Sequence, residues 1–156
     1  MGMSALNKTI FRGILLPGLL ALAMILALAL PVPGAAAELR VEVTGLRSPS
    51  GVVRMALFAN PEDFPDNDKK IASKDVKVNG LSTRAVFKNL SAGNYAVAVF
   101  HDENENNIFD RGFLGIPLEG YGFSNNARVI LSPPEFAAAA VSLTEGRSDI
   151  SVTINY

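Results

Sequence analysis

The chain lacks cysteine entirely and has a single histidine, His101, among its 156 residues. Without cysteine there are no disulfides, no thiolate nucleophile and no cysteine-ligated metal site. With one histidine, a zinc or copper centre built on two or three imidazoles is excluded as well. Charge of one sign is also missing. The chain carries 14 basic and 15 acidic residues, and without a basic excess nucleic acid is a poor partner. A disulfide-free domain must rely on its apolar core or on a bound ion.

The N-terminus reads as a targeting segment. Lys8 and Arg12 stand in a start without acids, and Ile14 to Leu30 is almost wholly apolar. Pro31 and Pro33 break that run, and Ala35-x-Ala37 supplies small residues for cleavage. The expectation is a signal peptide over residues 1–37 and one exported domain over 38–156, in the periplasm or outside the cell. No cysteine flanks the cut, so a lipid anchor is not expected, nor membrane attachment after cleavage. Without Lys8 and Arg12, 12 basic residues face 15 acidic ones, a net charge of −3.

The remaining sequence has the period of two that marks strands. Leu39, Val41 and Val43 alternate with polar residues, as do Ile150, Val152 and Ile154 near the end. Val52–Ala59 is apolar on both faces except at Arg54, as expected of a central strand. Lys74–Val78 and Thr83–Lys88 flank Asn79-Gly80, which predicts a type I′ hairpin. Tyr95–Phe100 and Ala137–Leu143 complete the set; Ala137–Ala140 is too short to hold a helix on propensity alone. The fold class expected is all-β, a seven-stranded antiparallel β-sandwich of immunoglobulin-like or transthyretin-like form. From Asp110 to Phe136 the chain is irregular, with Arg128–Leu131 its one strand-like run. Its aromatics Phe113, Tyr121 and Phe123 predict an ordered loop. They read as that loop's small core, or alternatively as a surface that stacks on a sugar or peptide. Tyr95, two residues after Gly93, fits a tyrosine corner whose hydroxyl ties back to the preceding turn.

The segment His101–Asp110, HDENENNIFD, carries the sharpest chemical signal. Asp102, Asn104 and Asn106 fall at positions 1, 3 and 5 of a calcium-type loop, with Asp110 at position 9. A tight loop turns alternate side chains inward, so hard oxygens surround an ion. Asn107 stands at position 6, where φ is positive, and Ile108 at position 7 offers its carbonyl. Position 12 is Phe113, so the closing acid must come from elsewhere, and Glu119 is the nearest candidate. The expected metal ligands are therefore Asp102, Asn104, Asn106, Ile108, Asp110 and Glu119, and the expected cofactor is calcium. Affinity should be weak, about 10⁻⁴ to 10⁻³ M. The competing account is that Asp and Asn only build consecutive turns. A small hydrolase using Asp102, Glu119 and His101 is the chemical alternative. A Ser124–His101–Asp102 triad is poorly formed, because Asp102 adjoins the histidine it must orient.

The pieces Tyr95-Ala96, His101-Asp102, Gly115-Ile116-Pro117, Glu119 to Asn125 and Pro133-Pro134 resemble the signature of an exported bacterial family. That family is known as domain of unknown function 2141. The spacing Phe87, Leu90, Gly93, Tyr95 is also similar to transthyretin-like and carboxypeptidase-regulatory-like sandwiches. These resemblances imply an exported β-sandwich without an established activity. The functional expectation is a non-enzymatic module that binds calcium and presents the adjacent loop to a protein or glycan of the cell envelope.

Overall fold

The structure, a computed structural model, describes residues 36–130 and 132–156. The expected signal segment lies outside the described residues apart from Ala36 and Ala37. Ala37, the residue before the expected cut, opens the first strand and is buried opposite Leu90 and Gly146.

The strands, in chain order, are β1 (Ala37–Thr44), β2 (Val52–Phe58), β3 (Ala72–Lys77), β4 (Thr83–Leu90), β5 (Gly93–Asp102), β6 (Gly120–Phe123), β7 (Val141–Leu143) and β8 (Gly146–Thr153). One sheet has the order β4-β1-β8 and the other β3-β2-β5-β6, with β7 added to the first residues of β5. The two sheets form the expected sandwich, with eight strands instead of seven. All pairs are antiparallel except β1 with β8, which run parallel from Ala37–Gly146 to Thr44–Thr153.

Alternation places the core. Leu39, Val41 and Val43 of β1 meet Val53, Met55 and Leu57 of β2, Val97 and Val99 of β5, and Val152 of β8. The outward face of the larger sheet holds a second cluster, in which Phe58, Ala96 and Phe123 pack with Phe136 and Ala139. Phe64 sits edge-on to Phe58, Phe123 and Phe136 at centroid distances of 5.4–5.9 Å. That cluster covers only part of the sheet's outer surface. Tyr95 forms the expected corner, its hydroxyl donating to the Ser91 carbonyl at 3.0 Å.

Three local expectations are corrected. Asn79-Gly80 is not a hairpin turn: β3 pairs with β2 and β4 with β1, so this connection crosses between sheets. Neither residue has positive φ. Burial of Val78, whose N–H donates to the Gly51 carbonyl, outweighs the local turn preference. Residues 128–130 form no strand; the added strand is β6, within the Gly-punctuated segment. The run beginning at Ala137 splits into a one-turn helix, α1 (Phe136–Ala139), followed by β7. The helix persists because its final carbonyls are capped from outside. Ser124 Oγ donates to the Ala139 carbonyl, and Asn125 Nδ2 donates to that of Ala140 at 2.6 Å.

Candidate functional site

β5 runs inward-facing His101 and outward-facing Asp102 directly into the polar loop. His101 is fully buried. Its Nε2 lies 2.6 Å from the Ser50 carbonyl, which can only accept, so Nε2 carries a proton. Nδ1 meets the Tyr156 hydroxyl at 2.7 Å, and that hydroxyl also accepts the Arg47 amide at 3.1 Å. Burial pushes the Tyr156 hydroxyl upward in pKa. Both nitrogens of His101 are thus engaged in tying β5 to the chain around Ser50 and to the C-terminal tyrosine.

Asp102 is also fully buried. The β2–β5 register brings Arg54 alongside, with Nε 2.7 Å from Asp102 Oδ2 and Nη1 2.6 Å from Asp75 Oδ2. Asp102 Oδ1 accepts the Asn106 amide at 3.1 Å, and Oδ2 accepts that of Asn107 at 2.9 Å. Burial alone would raise its pKa, but Arg54 and the two amides together hold it below the ordinary carboxylate value. Arg54 appeared in the sequence only as the single charge in an apolar strand. That oddity was the signal for its role here.

The loop repeats one turn device. Asn104 Oδ1 accepts the Asn106 amide at 3.1 Å, and Asn106 Oδ1 accepts that of Ile108 at 2.8 Å. Asn107 has φ of 66°, as position 6 requires. The side-chain nitrogens of Asn104 and Asn106 converge on Asp110 Oδ2 at 2.7 and 2.9 Å. Glu119 closes the loop from the following segment. Its Oε1 accepts the Glu103 amide at 3.2 Å, and its Oε2 accepts that of Asp110 at 3.1 Å. Burial raises the pKa of Glu119, and the nearby charges of Asp102 and Asp110 add to that effect.

Asp102, Asn104, Asn106, Asp110 and Glu119 thus belong to one hydrogen-bonded loop and its closing segment. Their oxygens are held mainly by protein N–H groups. Among the described residues no three acidic or histidine side chains converge as a ligand set. Among the described residues Asp110 Oδ1 has no donor, and Asp102 Oδ1 and the two amide oxygens each accept a single N–H. Arg54 offsets the charge of Asp102.

The clasp leads into a small hairpin. Leu118 N–H donates to the Asp110 carbonyl at 3.0 Å, and Gly112 N–H donates to that of Ile116 at 2.7 Å. Arg111 and Pro117 form the bridge between them. The tip, Phe113–Gly115, turns through positive φ at Leu114 and Gly115 and exposes Phe113 and Leu114. Of the three aromatics singled out in the sequence, Phe123 is buried and Tyr121 half-buried, as a loop core requires, whereas Phe113 is solvent-facing.

These features define a class: an all-β sandwich domain in which a polar clasp fixes an apolar hairpin. The chain belongs to the family described as uncharacterized proteins conserved in bacteria (DUF2141), whose model matches residues 41–151. Among solved structures it is similar to the pilus-presented adhesin Spy0125 (Cpa). A cysteine-to-alanine mutant of that adhesin matches with 19% identity and a TM-score of 0.29, over 81% of this chain and 28% of that one. Another crystal form matches with 17% identity and a TM-score of 0.29, over 80% and 28%. The chain therefore spans less than a third of that adhesin's length. A search of curated proteins finds no match. No helix among the described residues is long and apolar enough to cross a membrane.

Proposed function

We propose that the protein is an exported, non-enzymatic binding module of the bacterial cell envelope. Its Asp102–Asp110 loop takes up calcium weakly and thereby fixes the Asp110–Leu118 hairpin for a protein or glycan partner. The observation that carries this reading is the loop itself. Asx oxygens stand at positions 1, 3 and 5, Asn107 has φ of 66° at position 6, and Asp110 and Glu119 close the ring. The hydrolase alternative needs a histidine that can exchange protons with a substrate. Both nitrogens of His101 are committed inside the core, which weighs against it.

A second reading has its own support: the clasp works by hydrogen bonds alone. Asn104 and Asn106 already direct their amide nitrogens at Asp110, where a cation would require their oxygens. Thermal unfolding in EDTA, in calcium and in magnesium separates the two. With a Kd of about 10⁻⁴ to 10⁻³ M, 10 mM calcium adds about 1.4 to 2.7 kcal/mol. For a domain of this size that is a rise of roughly 5 to 15 °C in Tm. Asp110→Ala should abolish the rise, since Asp110 holds the uncommitted carboxylate oxygen. Equal melting in all three solutions would leave the hydrogen-bonded clasp as the account.

A further inference from the structure

The open part of the larger sheet's outer face forms a groove of about 900 Å³. Ala56, Ala98, Phe100 and Tyr121 make its floor, which continues from the Phe58–Phe123–Phe136 cluster, with Phe109 packed on Phe100 and Tyr121. Leu114 and Ile116 of the hairpin line it, as does Ile130. These three residues are 82%, 62% and 86% exposed, a concentration of solvent-facing apolar side chains along one groove.

Two features narrow the occupant. The floor is a sheet face whose backbone N–H and C=O groups are used in the β2–β5–β6 ladders. It offers no main-chain partners to a peptide, which would bring an N–H and a C=O with every residue. A hydrocarbon chain brings none. The groove is also basic, although the chain as a whole is slightly acidic. Arg54 is paired with Asp75 and Asp102, whereas Lys70 and Arg111 have no carboxylate within ion-pair distance among the described residues. Lys70 Nζ already donates to the Asn67 carbonyl. The Arg111 guanidinium lies 5.2 Å above the Phe109 ring, and no acceptor among the described residues engages its donors. A planar guanidinium suits a carboxylate, which it binds through two parallel hydrogen bonds.

We infer that this groove binds a single-chain fatty acid, its hydrocarbon tail on the Ala98–Phe100–Tyr121 floor and its carboxylate on Arg111. This goes beyond the calcium reading and does not depend on it. The test is calorimetric titration of the purified exported protein with dodecanoate below its micellar concentration, in EDTA and again in calcium. Dodecanol and dodecyltrimethylammonium serve as chain-matched controls. The expected result is saturable one-to-one binding of dodecanoate in both solutions, about tenfold weaker binding of dodecanol, and weakest binding of the cation. Arg111→Gln should weaken dodecanoate about tenfold and leave dodecanol unchanged, and Ala98→Trp should block both. Loss of calcium-dependent melting with dodecanoate binding intact would refute the ion site alone. No saturable binding, equal affinity for all three amphiphiles, or self-association that Leu114→Ser abolishes would overturn the fatty-acid assignment.

Discussion

Asp102 and Glu119 sit in one hydrogen-bond network yet titrate in opposite directions. Asp102 has a depressed pKa, so its ionised form contributes stability above the unfolded value of about 4. That contribution is lost as pH falls through the lower folded value. Glu119 has a raised pKa, so its contribution is complete below the unfolded value of about 4.3 and is lost as pH rises through the folded one. Asp102→Asn should therefore cost about 3 kcal/mol at pH 7, because Arg54 loses its buried counter-charge. The same variant should lose less additional stability than the wild type between pH 5 and pH 2. Urea unfolding at these pH values measures both effects. Of this network, the oxygen spacing was legible because it is local in sequence. The Arg54–Asp102 pair was not, since it depends on the register between β2 and β5, and nothing near Arg54 in the chain states its partner.

The strands that could be read were those with one buried face, such as β1 and β8, where alternation follows directly from burial. β6 was hidden because Gly120-Tyr121-Gly122-Phe123 looks like loop sequence. Its glycines have a packing reason. A Cβ on Gly122 would stand 2.6 Å from the Thr153 carbonyl oxygen and 2.9 Å from Val152 Cγ1. This close approach accompanies the bonds between Tyr121 and Asn155 that join β6 to the end of the chain beyond β8. Gly122→Ala should cost about 1–3 kcal/mol through overpacking. Gly80→Ala, with nothing within 4 Å of the added Cβ, should change stability by less than about 0.5 kcal/mol. Helix α1 escaped detection for a related reason, since its caps come from Ser124 and Asn125 rather than from its own ends. Ser124→Ala removes the acceptor for the Val97 amide and the donor to the Ala139 carbonyl, both buried. The expected loss is about 1–3 kcal/mol, read by chemical denaturation, with reduced helical order around residues 136–139 seen by NMR.

At the scale of the molecule, the sandwich supplies a rigid end on which the clasp and its hairpin are mounted. His101 and Tyr156 join that end from inside, and Arg54 supports the clasp from the outer sheet face. The hairpin's two cross-strand bonds, at Gly112 and Leu118, lie just beyond Glu119's hold on the Asp110 amide. An ion seated among Asp102, Asn104, Asn106 and Asp110 would restrain the base of the hairpin and slow its opening. Amide hydrogen exchange at Gly112 and Leu118, followed in EDTA and in 10 mM calcium, tests that link directly. Calcium should slow exchange at both amides well beyond any effect of magnesium, and should leave Val41 in β1 unchanged. Identical exchange at Gly112 and Leu118 in EDTA and in calcium would contradict an ion-fixed hairpin.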